Sequence, residues 1–254
     1  MQDAASFRRT APPIVSRTHR SWLATSEKRL LVWLAARLPD IVTPDHLTLT
    51  GLAGAALSGL GYAASAQSPM FLWLAMGGLL LNWFGDSLDG SLARYRGIER
   101  PQYGFFIDHT TDILSQVFIF FGLGASPYMR LDIAFLALLS YWMAALLTFI
   151  RAVATQVFQI SYFGIGPTEI RLGLIAYTLV LLTFGPLEYA TQIGAVAPIS
   201  VIIVCIAAGV FTSFVLMVWG EGRYLAAQAA TGHSPASVLP ADPMPAGQYK
   251  IDRG

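Results

Sequence analysis

The sequence predicts an all-α, polytopic membrane protein: six transmembrane helices preceded by an amphipathic helix at the membrane interface. Three observations carry this. The chain is 55% hydrophobic and only 12% charged, a balance that fits a bilayer rather than a soluble core. Its apolar runs are of spanning length and are separated by short stretches rich in Pro, Gly and charge. Its 16 Lys and Arg are not scattered but gather in alternate connections.

Residues 1–25 carry Arg8, Arg9, Arg17 and Arg20 with Pro12 and Pro13, and no apolar run follows at once. This stretch reads as a mobile basic arm, neither a signal peptide nor a folded unit. Within a membrane domain placed at 26–230, Ser26 opens a helix to Leu38. Leu30, Leu31, Leu34 and Leu38 lie on one side, with Glu27, Lys28 and Arg37 largely on the other. Such a helix lies in the membrane interface; a solvated connector is the alternative.

The first span starts at Thr43-Pro44, where Pro suits a helix start. Asp45 either caps this helix or places a negative charge near a ligand, and capping is the simpler reading. Gly51, Ala55, Gly59 and Ala63 then recur every fourth residue, a small-residue face on which another helix packs closely. Further spans are placed near 69–95, 104–125, 131–156, 167–185 and 195–220. Cys205, the single cysteine, lies in an apolar run and excludes an intrachain disulfide. Residues 231–254 hold four prolines among Gly, Ser and Ala and read as a disordered tail. With six spans, every basic residue except Arg130 falls on one side, so both termini and the connections bearing Arg94 and Arg171 are expected in the cytoplasm.

The chemistry concentrates in residues 86–112. Asp86 and Asp89 stand three apart and Asp108 and Asp112 four apart, so each pair projects from one helix face. Both pairs border apolar runs, Met70–Phe84 before and Ile113–Gly124 after. An acid inside a membrane helix costs roughly 2.5 to 3.5 kcal/mol at the bilayer centre, and four anions on adjoining helices repel one another. A cation is therefore required. One reading neutralises the acids with Arg94, Arg96 and Arg100. The other places one or two divalent ions among them, and the all-oxygen donor set favours Mg²⁺ or Mn²⁺ over Zn²⁺. Gly90 and Gly104 flank the acids, as close approach of a ligand to the backbone demands. The run from Pro69 to Phe84 covers about 24 Å at 1.5 Å per residue, which sets the acids near the cytoplasmic edge. Asp108 and Asp112 come level with them about 6 and 12 Å along the third span.

Asp86-x2-Asp89-Gly90-x2-Ala93-Arg94-x9-Gly104-x3-Asp108-x3-Asp112 resembles the signature of the CDP-alcohol phosphotransferases, membrane enzymes of phospholipid synthesis. All eight signature positions are intact; the spacer Tyr95–Tyr103 is nine residues where the family pattern has about eight. The resemblance implies that Asp86, Asp89 and Asp108 bind metal, and that Asp112 binds metal or takes the proton of the attacking hydroxyl. It further implies that Gly90, Ala93 and Gly104 leave room for the CDP moiety, with Arg94 a phosphate or acid partner, and that the protein is a homodimer. The expected reaction moves a phosphatidyl group from CDP-diacylglycerol to a small polar alcohol and releases CMP.

Arg151 and Arg171 fall near the level of the acids, and either holds a phosphate of acceptor or lipid or is ordinary flanking charge. Glu169 either serves the first turn of its helix or contacts a cationic acceptor. His109, in Asp-His-x-x-Asp, leans toward the choline and ethanolamine branch of the family, as does Pro167-Thr168-Glu169. CDP-choline or CDP-ethanolamine with diacylglycerol is thus the alternative substrate pair. From other classes come a metal-dependent membrane transporter, which would show inverted repeats and broken helices, and a non-catalytic scaffold. No Walker-type loop, Ser-His-Asp set or nucleic-acid patch is present, so no nucleic-acid partner is expected. The site is expected on the cytoplasmic side of the cell's cytoplasmic (inner) membrane.

Overall fold

The computed structural model describes residues 24–155, 167–185, 189–191, 194–196 and 198–230. Among these described residues seven helices follow in order: α1 Ala24–Ala35, α2 Pro44–Ala64, α3 Phe71–Arg96, α4 Pro101–Gly124, α5 Leu131–Thr155, α6 Pro167–Phe184 and α7 Pro198–Ala230. Between α6 and α7, where sequence reading ends one span at 185 and begins the next at 195, Tyr189–Thr191 (β1) and Gly194–Val196 (β2) pair antiparallel, Ala190 opposite Ala195. The chain divides into two compact units, Met1–Phe211 and Thr212–Gly254, with the boundary inside α7. The basic arm before Ala24 and the tail after Ala230 lie outside the described residues.

Each of the six stretches expected to span holds a helix, though the last begins at Pro198 rather than 195. Three of them, Pro44–Ala64, Leu131–Ile150 and Pro198–Tyr224, are long and apolar enough to cross a membrane among the described residues. The helices α3 and α4 are equally long, at 26 and 24 residues, but carry two aspartates each. Leu60, Trp73, Leu80, Phe121, Leu139 and Ile206 all point outward, the surface of a protein whose solvent is hydrocarbon.

Local chemistry sets the helix ends. Thr43 caps α2: its hydroxyl accepts from the His46 N–H at 3.3 Å, while His46 Nδ1 accepts from the Thr43 N–H at 3.3 Å. Asp45 is therefore not the cap. Gly97, at φ 66°, closes α3: its N–H reaches Arg94 O at 3.2 Å and the Ile98 N–H reaches Ala93 O at 3.0 Å. Pro101 occupies the first turn of α4, where its missing N–H costs nothing. The helix α1 begins at Ala24, so Ser26 sits inside the first turn rather than capping it. Leu31 and Ala35 of α1 pack on Leu88 and Leu92 of α3, with Leu34 and Leu38 beside them, whereas Leu30 faces outward.

The seam between α2 and α3 is close-packed, backbone against backbone. A Cβ on Gly54 would lie 2.5 Å from Asn82 N and 2.8 Å from Leu81 C, and one on Gly51 would lie 3.0 Å from Asp86 N. Gly59 meets Gly122 and Phe118 of α4 in the same backbone-to-backbone way. The four-residue repeat of small residues thus serves α4 through Gly59, while Gly51, Gly54, Ser58 and Gly61 serve α3. Helix α6 is pinned to α2 by a buried 2.7 Å hydrogen bond, Tyr62 Oη to Thr178 Oγ1.

Candidate active site

The α2 seam fixes α3 in depth and rotation, and with it the two acids of α3. Asp89 is buried and turned toward α2, where Thr48 Oγ1 donates to its Oδ2 at 2.5 Å. Asp86 faces inward and meets Arg171 of α6, whose Nη2 donates to Asp86 Oδ2 at 2.9 Å. The same nitrogen lies 3.8 Å from Asp112 Oδ1, so one guanidinium stands between an acid of α3 and an acid of α4. Asp89 lies within electrostatic range of Asp86 and Asp108, and Asp112 within range of Asp86 and Asp108. The four carboxylates read from sequence therefore converge on one region. Asp108 is its outer member, with a side chain 43% exposed against 20% for Asp86.

Arg171 is held from behind. Its Nε–H donates to Oδ1 of Asn82 at 2.8 Å, and the Asn82 amide donates to Gly51 O at 2.9 Å and to Ser115 Oγ at 3.3 Å. A second anchor comes from α1, where one carboxylate oxygen of Glu27 accepts from Trp83 Nε1 of α3 and Thr168 Oγ1 of α6, both at 2.9 Å. Thr168 precedes Arg171 by three residues, so the tie fixes the first turn of α6. Beside Arg171 opens an apolar cavity of about 310 Å³ whose lining includes Leu30, Leu80, Trp83 and Leu172. On the other side of Asp112 lies a chamber of about 30 Å³, reached by Gln116, Tyr141 and Ser115.

The cations anticipated beside the acids are placed elsewhere. Arg96 donates to the carbonyls of Leu38 at 3.0 Å, Pro39 at 2.9 Å and Val42 at 2.6 Å, stitching the α1–α2 connection to the end of α3. Arg100 pairs with Asp45 at 2.5 Å and lies over the Tyr103 ring. Arg94 is exposed and donates to Ser91 Oγ at 3.2 Å, its guanidinium lying beside Gly90. Neutralisation of the acids by these three arginines is thus overturned, and Arg171 takes that place. The space around Gly104 is open, with no atom within 4 Å of where its Cβ would be. His109 is held against the Phe105 ring at 4.1 Å, its Nδ1 2.9 Å from Phe105 O and 3.6 Å from Asp108 Oδ2. Glu169 sits in the first turn of α6. The side chain of Arg151 lies outside the described residues.

The donor set suits a hard divalent cation: four carboxylates on two neighbouring helices, with Arg171 between Asp86 and Asp112 and, among the described residues, no cysteine or pair of imidazoles beside them. Among the described residues, no three acidic, His or Cys side chains are yet drawn together tightly enough to hold a metal ion. The contacts explain why. Arg171 occupies the gap between Asp86 and Asp112, Asp89 is turned onto Thr48, and Asp108 stands at the rim.

Residues 41–219, from the start of α2 well into α7, match the CDP-alcohol phosphatidyltransferase family. The chain belongs to that family. The matched region holds all four aspartates together with Asn82 and Arg171. Three curated proteins are similar over parts of the chain. An archaetidylinositol phosphate synthase of Pyrococcus horikoshii is 34% identical over 104 residues, 41% of this chain and 52% of that protein. A second, of Methanothermobacter thermautotrophicus, is 33% identical over 108 residues, 42% and 51% respectively. Cholinephosphotransferase 1 of Gallus gallus is 29% identical over 162 residues, 59% of this chain and 45% of its own. The chain thus spans about half the length of the curated relatives it matches.

The family signature marks the acids but not what steadies them. Asn82, Thr48, Ser115 and Glu27 escaped sequence reading. Asn82 left a signal, being the single amide in the apolar run Met70–Phe84, one turn before Asp86. Thr48 left none, since a threonine in a membrane helix most often returns its hydroxyl to its own backbone.

Proposed function

We propose that this CDP-alcohol phosphatidyltransferase moves a phosphatidyl group from CDP-diacylglycerol to a small polar alcohol, releasing CMP. The observation that carries the reading is the convergence of four aspartates from α3 and α4 on one region, where two of them, Asp86 and Asp112, face Arg171 of α6. Asp86, Asp89, Asp108 and Asp112 would hold Mg²⁺ or Mn²⁺, which when bound supplies charge neutralisation for the pyrophosphate and the departing CMP. Asp112 takes the proton of the acceptor hydroxyl. The oxygen so freed attacks the phosphorus bearing the diacylglycerol, a new P–O bond forms, and the bond to the bridging oxygen breaks to release CMP. Gly90, Ala93 and the open space at Gly104 admit the nucleotide, with the exposed Arg94 at its phosphates. Arg171 supplies fixed positive charge beside the reacting groups. Acyl chains fit the apolar cavity at Leu30, Leu80 and Leu172, reached from the bilayer. His109, Glu169 and Arg151 are assigned to the acceptor side. The domain at 26–230 is then a six-span membrane body in the cytoplasmic membrane, with α1 in the interface, both termini and the site on the cytoplasmic side, and a second copy of the chain as partner.

The alternative donor and acceptor, CDP-choline or CDP-ethanolamine with diacylglycerol, draws support from the longer match to cholinephosphotransferase 1 and from His109 next to Asp108. Purified full-length protein in detergent with Mg²⁺ or Mn²⁺ separates the two. CMP release is expected with CDP-diacylglycerol and an added polar alcohol, and is expected to stop on chelation of the metal and return on its resupply. Release that needs CDP-choline and diacylglycerol instead would select the alternative. Silence from every pair while metal binds would reject both.

A further inference from the structure

Asn82 is 1% exposed in the middle of four helices, and each polar atom of its amide is used. Oδ1 accepts from Arg171 Nε on α6 at 2.8 Å, and Nδ2 donates to Gly51 O on α2 at 2.9 Å and to Ser115 Oγ on α4 at 3.3 Å. A flipped amide would set NH₂ against the guanidinium and oxygen against the Gly51 carbonyl, two repulsions in a buried place, so this orientation is fixed.

We infer that Asn82 is a positioning residue that sets the plane of the Arg171 guanidinium against Asp86 and Asp112. A guanidinium held at Nε cannot swivel about its last side-chain torsion. The Asn82 bond therefore decides that Nη2 bonds Asp86 at 2.9 Å while staying 3.8 Å from Asp112. Asn82 precedes Asp86 by one turn, so the residue that aims the arginine and the acid it is aimed at are carried on one face of α3. Asn82 touches no substrate; it acts through Arg171. The role rests on the transferase reading above only in what it does for the rate.

The test is a cycle of N82A, R171K and the double variant in the full chain, because Lys keeps the charge but has no Nε–H fork. Asn82→Ala is expected to lower kcat for CMP release about 10- to 100-fold, the range for losing a hydrogen bond to a charged group, with the donor KM within about threefold. In the Arg171→Lys background the same change is expected to cost less than about threefold. Additive losses would overturn the inference. So would a loss that Ser115→Ala reproduces together with an equal fall in melting temperature, since Ser115 touches the amide but not the arginine. A second readout needs no turnover: the ¹⁵Nε–H resonance of Arg171, assigned by its disappearance in R171K, is expected to resist exchange with water and to lose that protection in N82A. Unchanged protection refutes the role. If no donor and acceptor pair releases CMP, the transferase reading falls and this resonance alone decides the place of Asn82.

Discussion

Gly54 and Gly173 are both helical glycines of apolar stretches, yet their surroundings are opposite. Three backbone atoms of α3 lie within 2.9 Å of where a Cβ on Gly54 would be, and no atom lies within 4 Å of the corresponding point at Gly173 in α6. The first belongs to a seam in which α2, α3 and α4 meet backbone to backbone. The second lies on a helix face without neighbours among the described residues. In lipid no hydrophobic force drives helices together, so close approach at small residues supplies the packing energy and fixes register. The seam is where the acids are aligned, and the outer faces need only be apolar.

If the seam is there to hold chemistry in place, chemistry and packing are separable within it. The largest expected effect is on Asp112: Asp112→Asn removes the carboxylate proposed as general base while keeping shape and volume. CMP release is expected to fall about 10²- to 10⁴-fold, with the melting temperature of the detergent-solubilised protein maintained or raised. A buried like-charge repulsion disappears with the carboxylate, which is why stability does not fall with activity. A parallel collapse of melting and turnover would show that the acid is structural.

The glycines themselves come next. Gly54→Ala drives a methyl group into the α3 backbone at Asn82 and is expected to destabilise by about 1 to 3 kcal/mol, as over-packing does. Turnover falls with it, because the displaced atoms carry Asn82 toward Arg171. Gly173→Ala is expected to stabilise by up to about 1 kcal/mol through helix propensity alone. Thermal melting of the two variants side by side reads the contrast, and equal shifts in the same direction would dissolve it.

The acids were legible in sequence because a buried carboxylate is costly, and four at helical spacing call for a common ligand. The starts of α2 and α6 were legible because Pro44 and Pro167 punctuate apolar runs, whereas α4 begins at Pro101, three residues before the expected 104. Which cation would stand between the acids was not legible. Arg94, Arg96 and Arg100 are near in sequence, but α3 ends in a left-handed turn at Gly97 that leaves Arg96 on the α1–α2 connection and Arg100 on α2. Arg171, distant in sequence, arrives because α6 returns against α3 and is pinned there by Tyr62 and Glu27. Long-range pairing of this kind leaves no periodicity to read. The pairing of Tyr189–Thr191 with Gly194–Val196 was missed for a related reason, three residues being too short for a strand pattern.

Asp45 marks the smallest expected effect and the sharpest limit of the comparison, for it belongs to the rim of the seam. Sequence reading favoured a helix cap, but Thr43 and His46 close that helix end between them, which leaves Asp45 to pair with Arg100 at the start of α4. Both partners are about half exposed, at 48% and 50%, so water competes for each charge. Asp45→Asn is therefore expected to change stability by at most about 1 kcal/mol, less in high salt. Its effect on turnover depends on the connection carrying Arg100 and Tyr103. If the pair restrains that connection over the nucleotide, the donor KM rises while kcat holds, and the rise vanishes in high salt, where the wild-type pair is screened as well. Kinetics of the variant at two salt concentrations decide it: a salt-independent change in kcat would mean that Asp45 reaches the reacting groups rather than the rim.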